Sequence, residues 1–242
     1  MTRMLVSVRD VAEALSAAAA GADFIDLKEP HAGALGGLAL PTLRAVVAAL
    51  REVMAARSAQ GSAPAISATI GDWPMAQRDA IIAQVHAVAE CGVDYVKVGI
   101  ENDADAPEVL RALAACGRAV VPVFIADRGV DAYLRTLACA LPFPALMLDT
   151  ADKQAGSLFD CMDDAALRRF VRQARRAGRL VGLAGALRIE HLPQLKRLAP
   201  DFAGFRSAVC SGARTSELVP AKVRALRARL REQAAESVVQ PG

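Results

Sequence analysis

One pattern constrains this chain more than any other. A short apolar run is followed by a longer segment of helical periodicity, and the pair recurs eight times. Apolar runs at residues 4–8, 23–27, 65–70, 94–99, 119–126, 145–148, 180–184 and 202–205 read as strands. Between and after them, residues 11–20, 41–57, 74–91, 106–116, 130–140, 163–177, 190–198 and 220–236 read as helices. Asp10 suits a helix cap and Pro41 a first helical turn, and Gly21, Gly92, Gly117 and Gly178 follow helices as stops. Strands that alternate with helices imply a parallel sheet covered on both sides. Eight units in 242 residues predict a closed (β/α)8 barrel, a TIM barrel of class α/β, as one domain over residues 1–242. Residues 237–242 read as a frayed tail. An open doubly wound sheet is the competing arrangement. It normally has fewer strands, and the first strand-to-helix turn, Val8-Arg9-Asp10, lacks the glycine fingerprint of a dinucleotide site.

The remaining composition narrows the function. A net charge of +3 gives no extended footprint for nucleic acid. The basic pairs Arg168-Arg169 and Arg175-Arg176, and the run over 222–231, read as solvated helix faces. Five cysteines form no C-x-x-C pair and have no zinc spacing with His31, His86 or His191, so neither a metal nor a cofactor is expected. Unpaired cysteines suit a reduced cytoplasmic protein. The longest apolar run, 137–148, is broken by Pro142 and Pro144, and Arg9-Asp10 come too early for a leader, so no membrane association is expected.

The chemistry gathers at the C-terminal strand ends. Asp26-Leu27-Lys28-Glu29-Pro30 closes an apolar strand and opens a loop containing Gly33, Gly36 and Gly37. Side chains alternate along a strand, so Asp26 and Lys28 share a face. Residues 21–28 are echoed by 92–97, where Lys97 falls on the same face by parity. The echo also fits an ordinary recurrent turn from helix to strand. The other strand ends supply Thr69 and Asp72, Asp127, Asp149 with Lys153, Gly185, and Arg206 with Ser207. In a barrel these converge on one mouth. Lysines in a water-poor mouth suit carbonyl chemistry, because burial and a second nearby cation favour the neutral, nucleophilic amine. Asp26 and Asp149 are placed to move protons or steady an iminium cation. Asp26 lies two residues from Lys28, whereas Lys97 has Tyr95 at that place and no acid of its own. Gly185-Ala186 and Arg206-Ser207 occupy the loops that often hold phosphate in such barrels. Asp127 is counted with the substrate-binding set. His31 reads as a loop residue and His86 as structural.

Six segments together resemble a known family. D-L-K-E-P-H-A-G-A-L-G, S-A-T-I-G-D, D-Y-V-K-V-G, M-L-D-T-A-D-K and L-A-G-A-L with F-R-S-A-V-C keep the order of the (5-formylfuran-3-yl)methyl phosphate synthases. The resemblance covers nearly the whole chain and implies a (β/α)8 barrel. It also implies condensation of two glyceraldehyde 3-phosphate molecules, with loss of phosphate and water. By the same resemblance the product is expected to serve methanofuran-type cofactors of one-carbon metabolism, and the enzyme to be a lyase. Lys28 matches the Schiff-base lysine and Lys97 the proton-transferring lysine. Asp26, Asp149 and Lys153 match polar residues of the same mouth. The loop 206–214 departs from the archaeal pattern of a basic residue with paired glycines, reading Cys210-Ser211-Gly212-Ala213-Arg214 at its end. The expected partner is a small phosphorylated aldehyde. The oligomeric state is not fixed, and a homo-oligomer is compatible with the sequence. Two other readings stay open: a second kind of Schiff-base aldolase acting on a sugar phosphate, and a catalytically silent barrel that binds a metabolite.

Overall fold

The computed structural model describes residues 1–33, 35–56, 63–152 and 156–239, with side chains to residue 232. Eight parallel strands close in chain order. They are β1 (Arg3–Val8), β2 (Phe24–Leu27), β3 (Ala65–Thr69), β4 (Tyr95–Ile100), β5 (Val120–Ile125), β6 (Ala145–Asp149), β7 (Leu180–Leu183) and β8 (Phe202–Phe205). β8 pairs with β1, Arg3 against Phe202, so no open edge is left in the sheet. Helices α1 (Val11–Ala19), α2 (Leu40–Ala56), α3 (Arg78–Ala89), α4 (Ala106–Ala115), α5 (Ala132–Ala140), α7 (Asp164–Arg176), α8 (Leu192–Leu198) and α9 (Pro220–Val239) alternate with the strands.

The strands lie within one or two residues of the runs read from the sequence. The helices differ in instructive ways. The third segment opens as a 3-10 turn, Met75–Gln77, behind Pro74, and becomes α-helical only at Arg78. A short helix, α6 (Leu158–Cys161), lies where the sequence showed only loop. Four residues carry no readable period. It is held by a capping box, in which Ser157 and Asp160 satisfy each other's backbone groups. α9 continues to Val239, past the start of the expected tail. Of the loop that Gln60-Gly61-Ser62-Ala63-Pro64 predicts between the second helix and the third strand, residues 60–62 lie outside the described residues.

Two apolar cores follow from the strand period. One side of each strand faces the helices. Ile25, Leu27, Val96, Val98, Leu146 and Leu148 pack there against residues such as Leu43, Val46, Ile81, Val85 and Leu110. The other side fills the barrel with Leu5, Phe24, Val121, Val123, Met147 and Phe202. The arginines of α7 stay outside while Leu167, Phe170, Val171 and Ala174 are buried, so that basic cluster is a solvated face.

The lower, N-terminal end repeats one device. A helix ends, and an aspartate just before the next strand accepts the N–H of the second residue of the preceding strand. Asp23 Oδ2 takes Met4 N at 2.7 Å, Asp94 Oδ2 takes Ile66 N at 2.7 Å, and Asp201 Oδ2 takes Val181 N at 2.8 Å. Gly21 and Gly92 adopt φ of 94° and 88°, a region open to glycine, and turn the chain into the first two of these aspartates. The echo between 21–28 and 92–97 is in this part a turn that serves stability. The expected cost of Asp94→Ala is about 1 kcal/mol for the lost acceptor. In a chain of this size that lowers the melting temperature by roughly 2–4 °C, which a thermal melt measures.

Candidate active site

Register decides which inward side chains share a level. Ser7 pairs with Asp26, Asp26 with Ser67, and Thr69 with Lys97. The stagger that closes the barrel brings inward residues of alternate strands to one layer. Asp26, Lys97, Met147 and Gly204 form such a layer, and Lys28 and Asp149 stand above it, toward the mouth.

In that layer Asp26 is the hub. Its carboxylate accepts Ser7 Oγ at 3.1 Å and Ser67 Oγ at 2.7 Å, and it lies 2.9 Å from Lys97 Nζ. Four consecutive strands thus contribute to one buried cluster. Lys28 follows the last residue of β2, and its N–H still joins the ladder by donating to Val8 O at 3.0 Å. Its Nζ donates to Asp149 Oδ2 at 3.2 Å, and Asp149 Oδ1 accepts the N–H of Thr150 at 2.8 Å.

The structure brings Lys28, Lys97, Asp26 and Asp149 to one cavity of about 60 Å³. It corrects how they pair. Asp26 belongs with Lys97 and not with Lys28, and the acid of Lys28 comes from β6. Side chains two apart on one strand are separated by about 7 Å, whereas those of neighbouring strands converge toward the barrel axis. Each ammonium therefore has a carboxylate as its nearest charge, and the other lysine is not its main electrostatic neighbour.

The opposite wall of the cavity is made by the loops after β7 and β8. Gly185 at φ 113° and Ala186 at φ 46° turn the first loop inward, and Ser207 begins a single 3-10 turn in the second. Arg206 lines the cavity but does not offer it a free guanidinium. Nε donates to Arg214 O at 2.7 Å. Nη1 donates to Ser7 O at 3.1 Å and to Glu13 Oε2. Nη2 donates to Glu13 Oε1 at 3.0 Å and Ser216 O at 2.9 Å. An arginine has five N–H donors, so all are committed to protein. The expectation that this side chain meets phosphate is corrected on that ground.

The cation turned to the cavity from this loop is Arg214. It reaches across the mouth, and Nη2 donates to Gly33 O at 2.8 Å. Burial pulls its guanidinium below the ordinary value, against the opposing pull of the Asp149 carboxylate. Sequence reading left Arg214 as the end of an irregular loop. Only the return of the chain from Arg206 shows where it stands.

Asp127 is not brought to the lysines. Its Oδ1 accepts Ala151 N at 2.8 Å and its Oδ2 accepts Asp152 N at 2.7 Å, so it braces the loop after β6. It lines a neighbouring cleft with Asp72, Trp73 and Glu101. Thr69 and Asp72 hold the glycine-rich loop, through Gly36 O at 2.9 Å and Leu35 N at 3.2 Å. Lys153 lies outside the described residues. His31 is exposed in its loop. Among the described residues no group of three or more His, Cys, Asp or Glu could hold a metal ion, and no helix is long and apolar enough to cross a membrane.

The pairing makes a stability prediction. Asp26→Asn leaves the Lys97 ammonium buried without its counter-charge, and the expected loss is about 3–5 kcal/mol by urea denaturation. The double variant Asp26→Leu with Lys97→Met removes both charges, and is expected to recover most of that loss.

Known proteins resemble this chain over most of its length. Residues 4–227 match a family model described as 4-HFC-P synthase. A protein of Methylorubrum extorquens is 36% identical over 228 residues, 90% of this chain and 91% of its own length. The (5-formylfuran-3-yl)methyl phosphate synthase of Archaeoglobus fulgidus is also 36% identical, over 88% of this chain and 93% of its own. That of Methanocaldococcus jannaschii is 34% identical, over 86% and 90%. Among solved structures, phosphoribosyl anthranilate isomerase from Thermus thermophilus superposes with a TM-score of 0.62 at 21% identity, over 96% of this chain and 99% of its own. That likeness concerns the barrel alone. A match over nearly the whole length, joined to relatives above 30% identity, places the chain in the 4-HFC-P synthase family.

Proposed function

We propose that the protein condenses two molecules of glyceraldehyde 3-phosphate into the phosphate ester of 4-(hydroxymethyl)-2-furancarboxaldehyde, a step toward methanofuran-type cofactors. Atom balance requires loss of one inorganic phosphate and two waters. The observation that carries this reading is the pair of buried lysine–carboxylate contacts opening on one cavity, in a chain of this family.

Lys28 is the covalent nucleophile in this reading. It is 8% exposed and stands toward the mouth, whereas Lys97 is 2% exposed and lies a layer deeper. Asp149 takes the proton that Lys28 must lose before attacking the aldehyde carbon. Asp149 returns that proton to the carbinolamine hydroxyl, which leaves as water, and the regenerated carboxylate faces the positive charge of the iminium. An iminium acidifies the neighbouring C–H. Lys97, made neutral by passing its ammonium proton to Asp26, collects that proton, and two serine hydroxyls orient the Asp26 carboxyl group that exchanges with it. In sequence Asp26 lies two residues from Lys28. The crossed pairing supports the same roles for a different reason, depth in the barrel. Lys153 keeps its place in the polar set on the family resemblance alone.

Each substrate carries a phosphate. The backbone at Gly185, Ala186 and Ser207, with Arg214 as the cation, forms the anion end of the cavity in this reading. A different Schiff-base aldolase on a sugar phosphate would use the same lysines, and the products separate the two.

With glyceraldehyde 3-phosphate, the expected result is release of inorganic phosphate and the rise of a furan absorbance together. Borohydride reduction during turnover is expected to trap an adduct on the peptide containing Lys28. The adduct should be absent in Lys28→Ala and present in Lys97→Ala, whose kcat falls by about 10²–10⁴-fold. An adduct mapped to Lys97 reverses the roles, and phosphate release without a furan favours the aldolase. For Arg214→Met, KM for the triose phosphate is expected to rise about tenfold or more, with a smaller change in kcat, as loss of a charged hydrogen bond implies.

A further inference from the structure

Glu13 is buried on α1, 7% exposed, and does not line the cavity. In sequence it is an acid in the first turn of a helix, where the helix dipole alone would justify it. In the structure its carboxylate collects donors from three separate segments. Arg206 meets it through two nitrogens, Leu218 N donates at 3.3 Å, and Arg9 donates through its backbone N at 3.1 Å.

The loop after β8 is tied to this pair at alternate residues. Arg206 donates to Arg214 O and Ser216 O, and Leu218 N donates to Glu13. Arg9 Nη1 adds Thr215 O at 2.7 Å. Residues 214–218 are therefore located by the buried Glu13 carboxylate and the two arginines that pair with it, Arg206 and Arg9. Arg214 is the first of these residues, and its own side chain enters the mouth.

We infer that Glu13 is a positioning residue: through Arg206 it sets the β8 loop and so fixes where the Arg214 guanidinium meets the substrate phosphate. This rests on the phosphate reading given above. Removing the carboxylate frees Arg206 from its partner, leaves a buried guanidinium uncompensated, and releases the loop anchor at Leu218. A charged contact displaced by even about 1 Å loses much of its value, so a residue outside the cavity changes affinity inside it.

The test is a double-mutant cycle read by calorimetry, with inorganic phosphate as the probe and the full chain as the protein. Glu13→Gln is expected to weaken phosphate binding about tenfold, and Arg214→Met at least as much. The two together should be no weaker than Arg214→Met alone, because Glu13 acts through Arg214. Arg206→Lys, which keeps the charge but cannot span the three carbonyls, should match Glu13→Gln. Glu13→Asp should recover part of the affinity, and it replaces Glu13→Gln in the cycle if that variant does not fold. In turnover, Glu13→Gln should raise KM more than it lowers kcat, a split that general destabilisation does not give. Additive losses, or unchanged affinity in Glu13→Gln, would overturn the role of Glu13 while leaving the phosphate site standing. Failure of the wild type to bind phosphate would overturn both.

Discussion

Two ammonium groups and two carboxylates have been taken out of water at the upper end of this barrel, and the surrounding structure depends on how they are matched. Desolvating an ion costs several kcal/mol, and an ion pair offsets this only when its remaining hydrogen-bonding positions are also filled. Asp26 meets that condition with Ser7, Ser67 and Lys97, drawn from three other strands. The cluster therefore holds only while β1 to β4 keep their register. A slip of one residue would turn Asp26 outward among the leucines and valines that face the helices. Closure of the sheet and placement of charge are in this sense the same constraint.

The ends of the barrel divide the work. Below, aspartates at 23, 94 and 201 bond to backbone at strand starts and have no part in the cavity. Above, Asp26 and Asp149 face lysines. One residue type serves backbone geometry at one end and proton chemistry at the other, and only position along the strand separates the two uses.

The same division explains what could be read in advance. Strand number, order and inward parity are local properties, set by alternation within a few residues, so Lys28 and Lys97 could be placed on the inner face from the sequence. Partnership is not local. That Asp26 serves Lys97 follows from the register of β2 through β3 to β4, which no single strand encodes. Arg206 was misread for the same reason. Its signature matched a phosphate-binding arginine, yet Glu13, 193 residues away in sequence, had already claimed it. Arg214 carried no signal beyond being a base in a loop. Asp127 sits at a strand end like the other acids, but the turn after β5 directs it to the backbone of the next loop. The short α6 helix was hidden by its length.

The crossed pairing also bears on how a ligand finds the mouth. With carboxylate oxygens 3.2 Å from Lys28 Nζ and 2.9 Å from Lys97 Nζ, each pair presents a dipole to the outside and not a net charge. Glu13 is shared by Arg206 and Arg9, which lie outside the cavity's lysine pairs. Beyond a Debye length of about 8 Å at physiological ionic strength, the four groups of the two lysine–carboxylate pairs exert almost no pull on a diffusing anion. Encounter with this set is then governed by random collision and the shape of the opening, and not by electrostatic steering. The paired charges act at contact range, where they select and transform what has already arrived, and any attraction felt from farther out falls to Arg214 at the mouth.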